Sequence, residues 1–96
     1  LDDEQRLGAT VLSRTLYAAQ RAAEHGLPAV LRAARTELRT AKIVDVDYLE
    51  VTTPDLGPLP DAPPPGTEAR ILIAARVGST RLIDNMALVL GAGGSS

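Results

Sequence analysis

Residues 69–90 constrain the fold more than any other stretch of this 96-residue chain. Two apolar runs, Ala69-Arg70-Ile71-Leu72-Ile73-Ala74-Ala75-Arg76-Val77 and Arg81-Leu82-Ile83-Asp84-Asn85-Met86-Ala87-Leu88-Val89-Leu90, flank the polar link Gly78-Ser79-Thr80. Runs of this kind around a short glycine-containing link predict a β-hairpin, with strands over residues 70–77 and 81–89. The unbroken apolar stretch at 71–75 predicts a strand that needs cover on both faces, which the rest of the chain, or another domain, has to supply. In the second strand Asp84 and Asn85 are adjacent and point to opposite faces. One is expected in solvent and the other bonded to backbone at a bulge or sheet edge.

Upstream, the period is helical. Asp2 and Gln5 have capping-box spacing, and the acidic residues at 2–4 suit the positive end of a helix dipole. Leu7, Val11, Leu12, Leu16, Ala19 and Ala23, with Thr15 beside them, predict one buried face of a helix over residues 3–24. Gly26 is placed to end it, because a positive φ costs glycine little. Pro28 suits the first turn of a second helix over residues 28–41. Leu27, Leu31, Ala34, Leu38 and Ala41 form its apolar stripe. The short link between the two predicts an antiparallel helical hairpin. Arg32, Arg35, Arg39 and Lys42 form a basic stripe on a neighbouring face. A solvated face accounts for it, with Arg39 and Lys42 favourable near the helix C-terminus; contact with an anion or phosphate is the alternative.

The period then changes to two. Val44, Val46 and Tyr48 alternate with Asp45 and Asp47, and Leu49 and Val51 take the other parity. This predicts a strand over residues 43–51 with the Val44, Val46 and Tyr48 face buried. Asp45 and Asp47, two apart on one strand, are expected in solvent rather than on a metal. Residues 52–68 hold Pro54, Pro58, Pro60, Pro63, Pro64 and Pro65 and predict a partly rigid connector. Pro60 and Pro63 have PxxP spacing but no flanking basic residue. Residues 91–96, rich in Gly and Ser, predict a flexible tail. The fold class is α+β: a two-helix antiparallel hairpin on one face of a three-stranded antiparallel sheet, one domain over residues 1–90.

Composition narrows the function classes. With no Phe or Trp, and Tyr17 and Tyr48 as the only aromatics, the core has to be aliphatic. The absence of Cys excludes disulfides and thiolate metal sites. A net charge of −2 argues against general nucleic-acid binding. No run is long enough to span a membrane, and the acidic start lacks the basic region of a signal peptide. The first residue is not Met, so the chain is expected to be a piece of a longer protein. His25, beside Gly26, is expected at a helix end rather than as a base. Ser79 and Thr80 have hydroxyls that suit a phosphate, but turn chemistry explains them equally. Gly91-Ala92-Gly93-Gly94 precedes no helix and is not a nucleotide loop. No catalytic, cofactor-binding or metal-ligating residue is assigned, and the chain is not a complete enzyme by itself.

Two segments resemble a known family when taken together. Val46-Asp47-Tyr48-Leu49-Glu50 is similar to a V-D-Y-x-E strand. Ala74-Ala75-Arg76-Val77-Gly78-Ser79-Thr80-Arg81-Leu82-Ile83-Asp84-Asn85 is similar to an A-A-R-x-G-x-T-R-L-I-D-N hairpin. Both lie near the C-terminus of the pantothenate synthetase (pantoate–β-alanine ligase) family, and Leu1-Asp2 with Gln5-Arg6 also fits the start of that domain. The hairpin is the specific part of this resemblance, which covers nearly the whole chain, and the Ala-rich helices have an actinobacterial flavour.

The resemblance implies a whole enzyme with an N-terminal nucleotide-binding domain of Rossmann type that binds ATP and pantoate. With Mg²⁺, pantoate and ATP would give pantoyl adenylate and pyrophosphate, and β-alanine would then displace AMP to form pantothenate. The smaller C-terminal domain would be a lid on a cytoplasmic homodimer, with no nucleic-acid or membrane partner. The family's His-x-Gly-His and Ser-Ser-Arg elements belong to its earlier part, the latter just upstream of Leu1, so neither is carried over onto this chain. ATP and Mg²⁺ would serve the full-length enzyme, and none is expected bound to this piece. The alternatives are a stand-alone interaction module that uses its sheet face or Pro-rich loop, and an anion-binding module working through Arg32, Arg35 and Arg39.

Overall fold

The computed structural model describes residues 3–41, 44–60 and 63–91. Asp2 of the predicted capping box, Lys42 of the basic stripe, Ile43 of the first predicted strand and residues 92–96 of the predicted tail lie outside the described residues. Helix α1 spans Asp3–Ala22 and tightens into a 3-10 turn over Ala23–His25, and helix α2 spans Leu27–Arg39. Strands β1 (Asp45–Thr52), β2 (Thr67–Val77) and β3 (Thr80–Leu90) follow. They form one antiparallel sheet in the order β1-β2-β3. Two helices then three antiparallel strands is the α+β arrangement the sequence predicts.

Gly26 is the pivot of the helical hairpin. Its φ of 93° and ψ of 176° lie in a region open essentially to glycine alone. From there its N–H donates to the Ala23 carbonyl at 3.0 Å and its carbonyl accepts from Val30 N–H at 3.2 Å. One residue therefore closes the first helical segment and opens the second. The turn reverses the chain at once, and α1 packs along α2 and across β2 and β3.

The core lies between the helices and one face of the sheet. Leu12, Leu16, Val30, Ile71, Ile73 and Leu90 are its largest fully buried aliphatic side chains. Each such Leu, Ile or Val stabilises the fold by about 1.5–3 kcal/mol. Thr15 is buried as well, and its hydroxyl donates to the Val11 carbonyl at 2.8 Å. Two members of the predicted stripes fall elsewhere. Leu7 is exposed, and Gly8 is buried in its place beside Val77 and Leu82. In α2 the fully buried residues are Val30 and Ala34, with Leu27, Leu38 and Ala41 packed against the core. Leu31 is only half-buried. The spacing 27-30-34-38-41 is as helical as 27-31-34-38-41, so periodicity alone does not separate Val30 from Leu31.

Strand β1 departs from its predicted facing. Register runs from Val46 opposite Ala75 to Tyr48 opposite Ala74, leaving Asp47 as the extra residue of a β-bulge. The bulge switches the parity of the strand. Leu49 and Val51 pack on the core, and Tyr48, expected inside, turns to the other face; Val46, also expected inside, keeps the register opposite core-facing Ala75 but is exposed. The parity change already present between Tyr48 and Leu49 in the sequence is the mark of this bulge.

The hairpin link is two residues long, not three. Val77 pairs with Thr80 across Gly78-Ser79. Gly78 has φ 61° and Ser79 does not share a positive φ, the pattern of a type II′ turn. The connector from β1 to β2 contains a compact turn over residues 53–57. There Leu56 N–H donates to the Thr53 carbonyl at 2.9 Å and Thr53 N–H to the Gly57 carbonyl at 3.0 Å. Leu56 has φ 68°, a left-handed conformation that a Leu side chain opposes. At the far end Gly91, read from sequence as the first residue of the tail, is fixed: its N–H donates to the Ala23 carbonyl at 2.7 Å.

Candidate functional site

In an antiparallel sheet, residues opposite one another share a face. The helices cover the face of β2 that carries Ala69, Ile71, Ile73, Ala75 and Val77, all buried. The other face carries Arg70, Leu72, Ala74 and Arg76, and among the described residues no element packs over it. At its centre Tyr48, Ala74 and Ile83 form a cross-strand row. Ala74 is fully buried beneath these two larger neighbours, while Ile83 remains 60% exposed. The apolar run 71–75 therefore has helix cover on one side and only cross-strand neighbours on the other.

Charged residues from both family-like segments meet at one end of this outer face. Arg76 and Arg81 stand directly opposite each other on β2 and β3. Like charges in that position destabilise a sheet. The bulge supplies the compensation, since it aims Asp47 at the pair: its Oδ2 lies 3.3 Å from Arg76 Nε and 3.2 Å from Arg81 Nε. Both guanidinium side chains stay more than half exposed, at 63% and 53%, so this is a hydrated cluster rather than a buried ion pair. Further along the same face Arg70 Nη1 donates to Asn85 Oδ1. Asp84, on the edge strand, accepts from the Asn85 backbone N–H at 2.8 Å. The adjacent polar pair thus divides as expected, one member in solvent and one on edge backbone.

The remaining sequence candidates are dispersed. Gln5 Nε2 donates to Thr80 Oγ1, which ties the start of α1 to the hairpin end and engages one of the two hydroxyls considered for phosphate. Ser79 is exposed. His25 Nε2 lies 3.1 Å from Glu24 Oε1 at the surface. Arg32, Arg35 and Arg39 line a shallow groove of about 430 Å³ with Leu27, Pro28 and Leu31, and none has an ion-pair partner among the described residues. A cleft of about 780 Å³ runs beside the end of α1, lined by Gln20, Arg21, Glu24, Glu68 and Arg70 among others. Its charges are balanced, and it brings no nucleophile to a base. Among the described residues no three of His, Asp or Glu are placed to hold a metal ion. The Asp55 carboxyl is held below its ordinary range. The Thr53 hydroxyl is the main cause, followed by the backbone amides of Asp55 and Gly57, with partial desolvation pushing the other way.

Sequence reasoning misses the Asp47–Arg76–Arg81 cluster. Its signals are the parity change in β1 and the length of the hairpin link. A two-residue link puts Arg76 opposite Arg81 by counting alone.

Comparison with known proteins gives a consistent answer. The family model described as pantoate-beta-alanine ligase matches residues 1–87. A pantothenate synthetase of Nocardioides sp. is 58% identical over 94 residues, which covers 98% of this chain and 28% of the relative. One from Saccharopolyspora erythraea is 48% identical over 96 residues, covering 100% of this chain and 30% of the relative. The crystal structure of pantothenate synthetase from Thermus thermophilus superposes with a TM-score of 0.75 at 36% identity, covering 90% of this chain and 31% of that one. The chain thus spans less than a third of the length of these relatives.

Proposed function

The chain belongs to the pantoate–β-alanine ligase family, and we propose that it is the C-terminal lid domain of an ATP-dependent enzyme of that family. On this reading the whole enzyme joins pantoate to β-alanine in two steps. The pantoate carboxylate attacks ATP, pyrophosphate leaves, and a pantoyl adenylate forms. The β-alanine amine then attacks the acyl carbon and AMP leaves. The enzyme acts as a cytoplasmic homodimer with ATP and Mg²⁺. On the same reading the metal and the reacting groups lie in the nucleotide-binding domain.

The observation that carries the lid reading is the uncovered outer sheet face. It bears the family-like hairpin, yet among the described residues no helix or further strand packs over it. A domain of this kind, closing over an acyl adenylate, excludes the water that would hydrolyse it. The rigid hairpin, braced by α1 through the Gln5–Thr80 bond, suits a body that moves as one piece. The test is an assay of AMP and pantothenate formation by this chain with pantoate, β-alanine, ATP and Mg²⁺. No turnover is expected, and turnover at the rate of an intact ligase would overturn the reading.

A further inference from the structure

The Asp47 clamp leaves two guanidiniums incompletely used. Asp47 Oδ2 lies against the Nε of each, and only the Arg76 Nε makes a hydrogen bond to it. No Nη atom of Arg76 or Arg81 makes a hydrogen bond among the described residues. Asp45 stands opposite Arg76 in register, without an ion pair to it. Two adjacent strands therefore hold two cations side by side on one shared carboxylate, with their Nη donors left for a further anion. A bulge fixes the carboxylate that orients them, and bulges commonly re-aim a side chain at a functional place.

The geometry points to a phosphoryl-oxyanion site at the hairpin end, formed by Arg76 and Arg81 and oriented by Asp47. Phosphate is the chemistry that fits. A carboxylate has two oxygens and is satisfied by one guanidinium fork, whereas a phosphoryl group presents three oxygens and can bridge two forks. The basic stripe of α2 is a poorer candidate. Its arginines run to the negative end of their helix, and no carboxylate orients them among the described residues. The phosphoryl group belongs either to a nucleotide or to free diphosphate. This site stands on the chain's own residues and does not depend on the lid reading.

The test is an NMR titration of this chain, following the arginine Nε–Hε signals, with inorganic pyrophosphate, ATP and acetate as separate ligands. Saturable shifts of Arg76 and Arg81 are expected with a phosphate ligand. Arg76→Gln and Arg81→Gln should each weaken the binding at least fivefold. Asp45→Asn, which removes a nearby negative charge without touching the clamp, should tighten it severalfold. Saturation by pyrophosphate assigns the site to a free diphosphate group, and saturation by ATP alone assigns it to a nucleotide. The proposal is overturned if neither ligand saturates, if acetate binds as tightly, or if Arg32, Arg35 and Arg39 shift to the same extent.

Discussion

The Gly91 amide donates to the Ala23 carbonyl at 2.7 Å, and a Cβ on Gly91 would overlap the backbone of Glu24. The residue that follows the last strand is therefore stapled to the turn between the helices. Backbone cannot rotate away as a side chain can, so a methyl group there has to force the two segments apart. Gly91→Ala is expected to destabilise the fold by about 2 kcal/mol, in the range of overpacked sites. For a domain of this size that lowers the melting temperature by on the order of 10 °C. Thermal unfolding followed by far-UV circular dichroism checks it. An unchanged melting temperature would mean that the chain end is not held.

Asp47 separates two opposed arginines, so its loss removes an attraction and leaves a repulsion. The groups are substantially hydrated, which limits the effect. Asp47→Ala is expected to cost about 1 kcal/mol in urea unfolding at low salt, the upper end for exposed pairs. The difference should shrink in about 0.5 M NaCl, where screening between hydrated charges is strong. Equal costs at both salt concentrations would assign Asp47 a packing role only.

Leu56 adopts φ 68° while 60% of it is exposed, so it bears backbone strain with little burial in return. The left-handed conformation costs an L residue about 1–2 kcal/mol. Glycine would remove that strain and add about 0.5–1 kcal/mol of chain entropy. Leu56→Gly should thus stabilise the domain by about 0.5 kcal/mol or slightly more. A loss of stability in urea unfolding would show that the Leu56 side chain holds the connector against its surroundings.

Asp55 gives the same turn a pH dependence. Its carboxyl is held below the ordinary range, chiefly by the Thr53 hydroxyl. A carboxylate depressed on folding contributes stability above its unfolded pKa, and that contribution is lost as pH falls through the lower folded value. Thr53→Val is expected to raise the Asp55 pKa toward the ordinary carboxylate value, read from its carboxyl ¹³C shift across an acid titration. An unmoved titration curve would assign the depression to the backbone amides instead.

Much of this architecture is legible in the sequence because local rules agree. Pro28 behind Gly26 marks the helical reversal, and Gly78 marks the hairpin; each has a conformational reason that does not depend on distant residues. The misses share a different cause. Val30 and Leu31 compete for one face, and only the position of α1 and the sheet decides between them. The outward facing of Tyr48 follows from a bulge that shifts the parity by one residue. The fixing of Gly91 follows from its approach to Ala23, distant in sequence, and composition there suggests only a loose end. The cluster of Asp47 with Arg76 and Arg81 needs the bulge and the register together. Separately, each residue looks like ordinary surface charge.

On the proposed reading, this domain completes a ligase whose reacting groups lie in the rest of the enzyme. The direct measurement joins this chain to the remaining N-terminal part of the Nocardioides relative and follows AMP release with pantoate, β-alanine, ATP and Mg²⁺. The account predicts no AMP from this chain alone and none above background from the N-terminal part alone, with turnover appearing when the two are joined. Intact-enzyme turnover from either part alone, or a well-folded joined protein no faster than its N-terminal part, would contradict it.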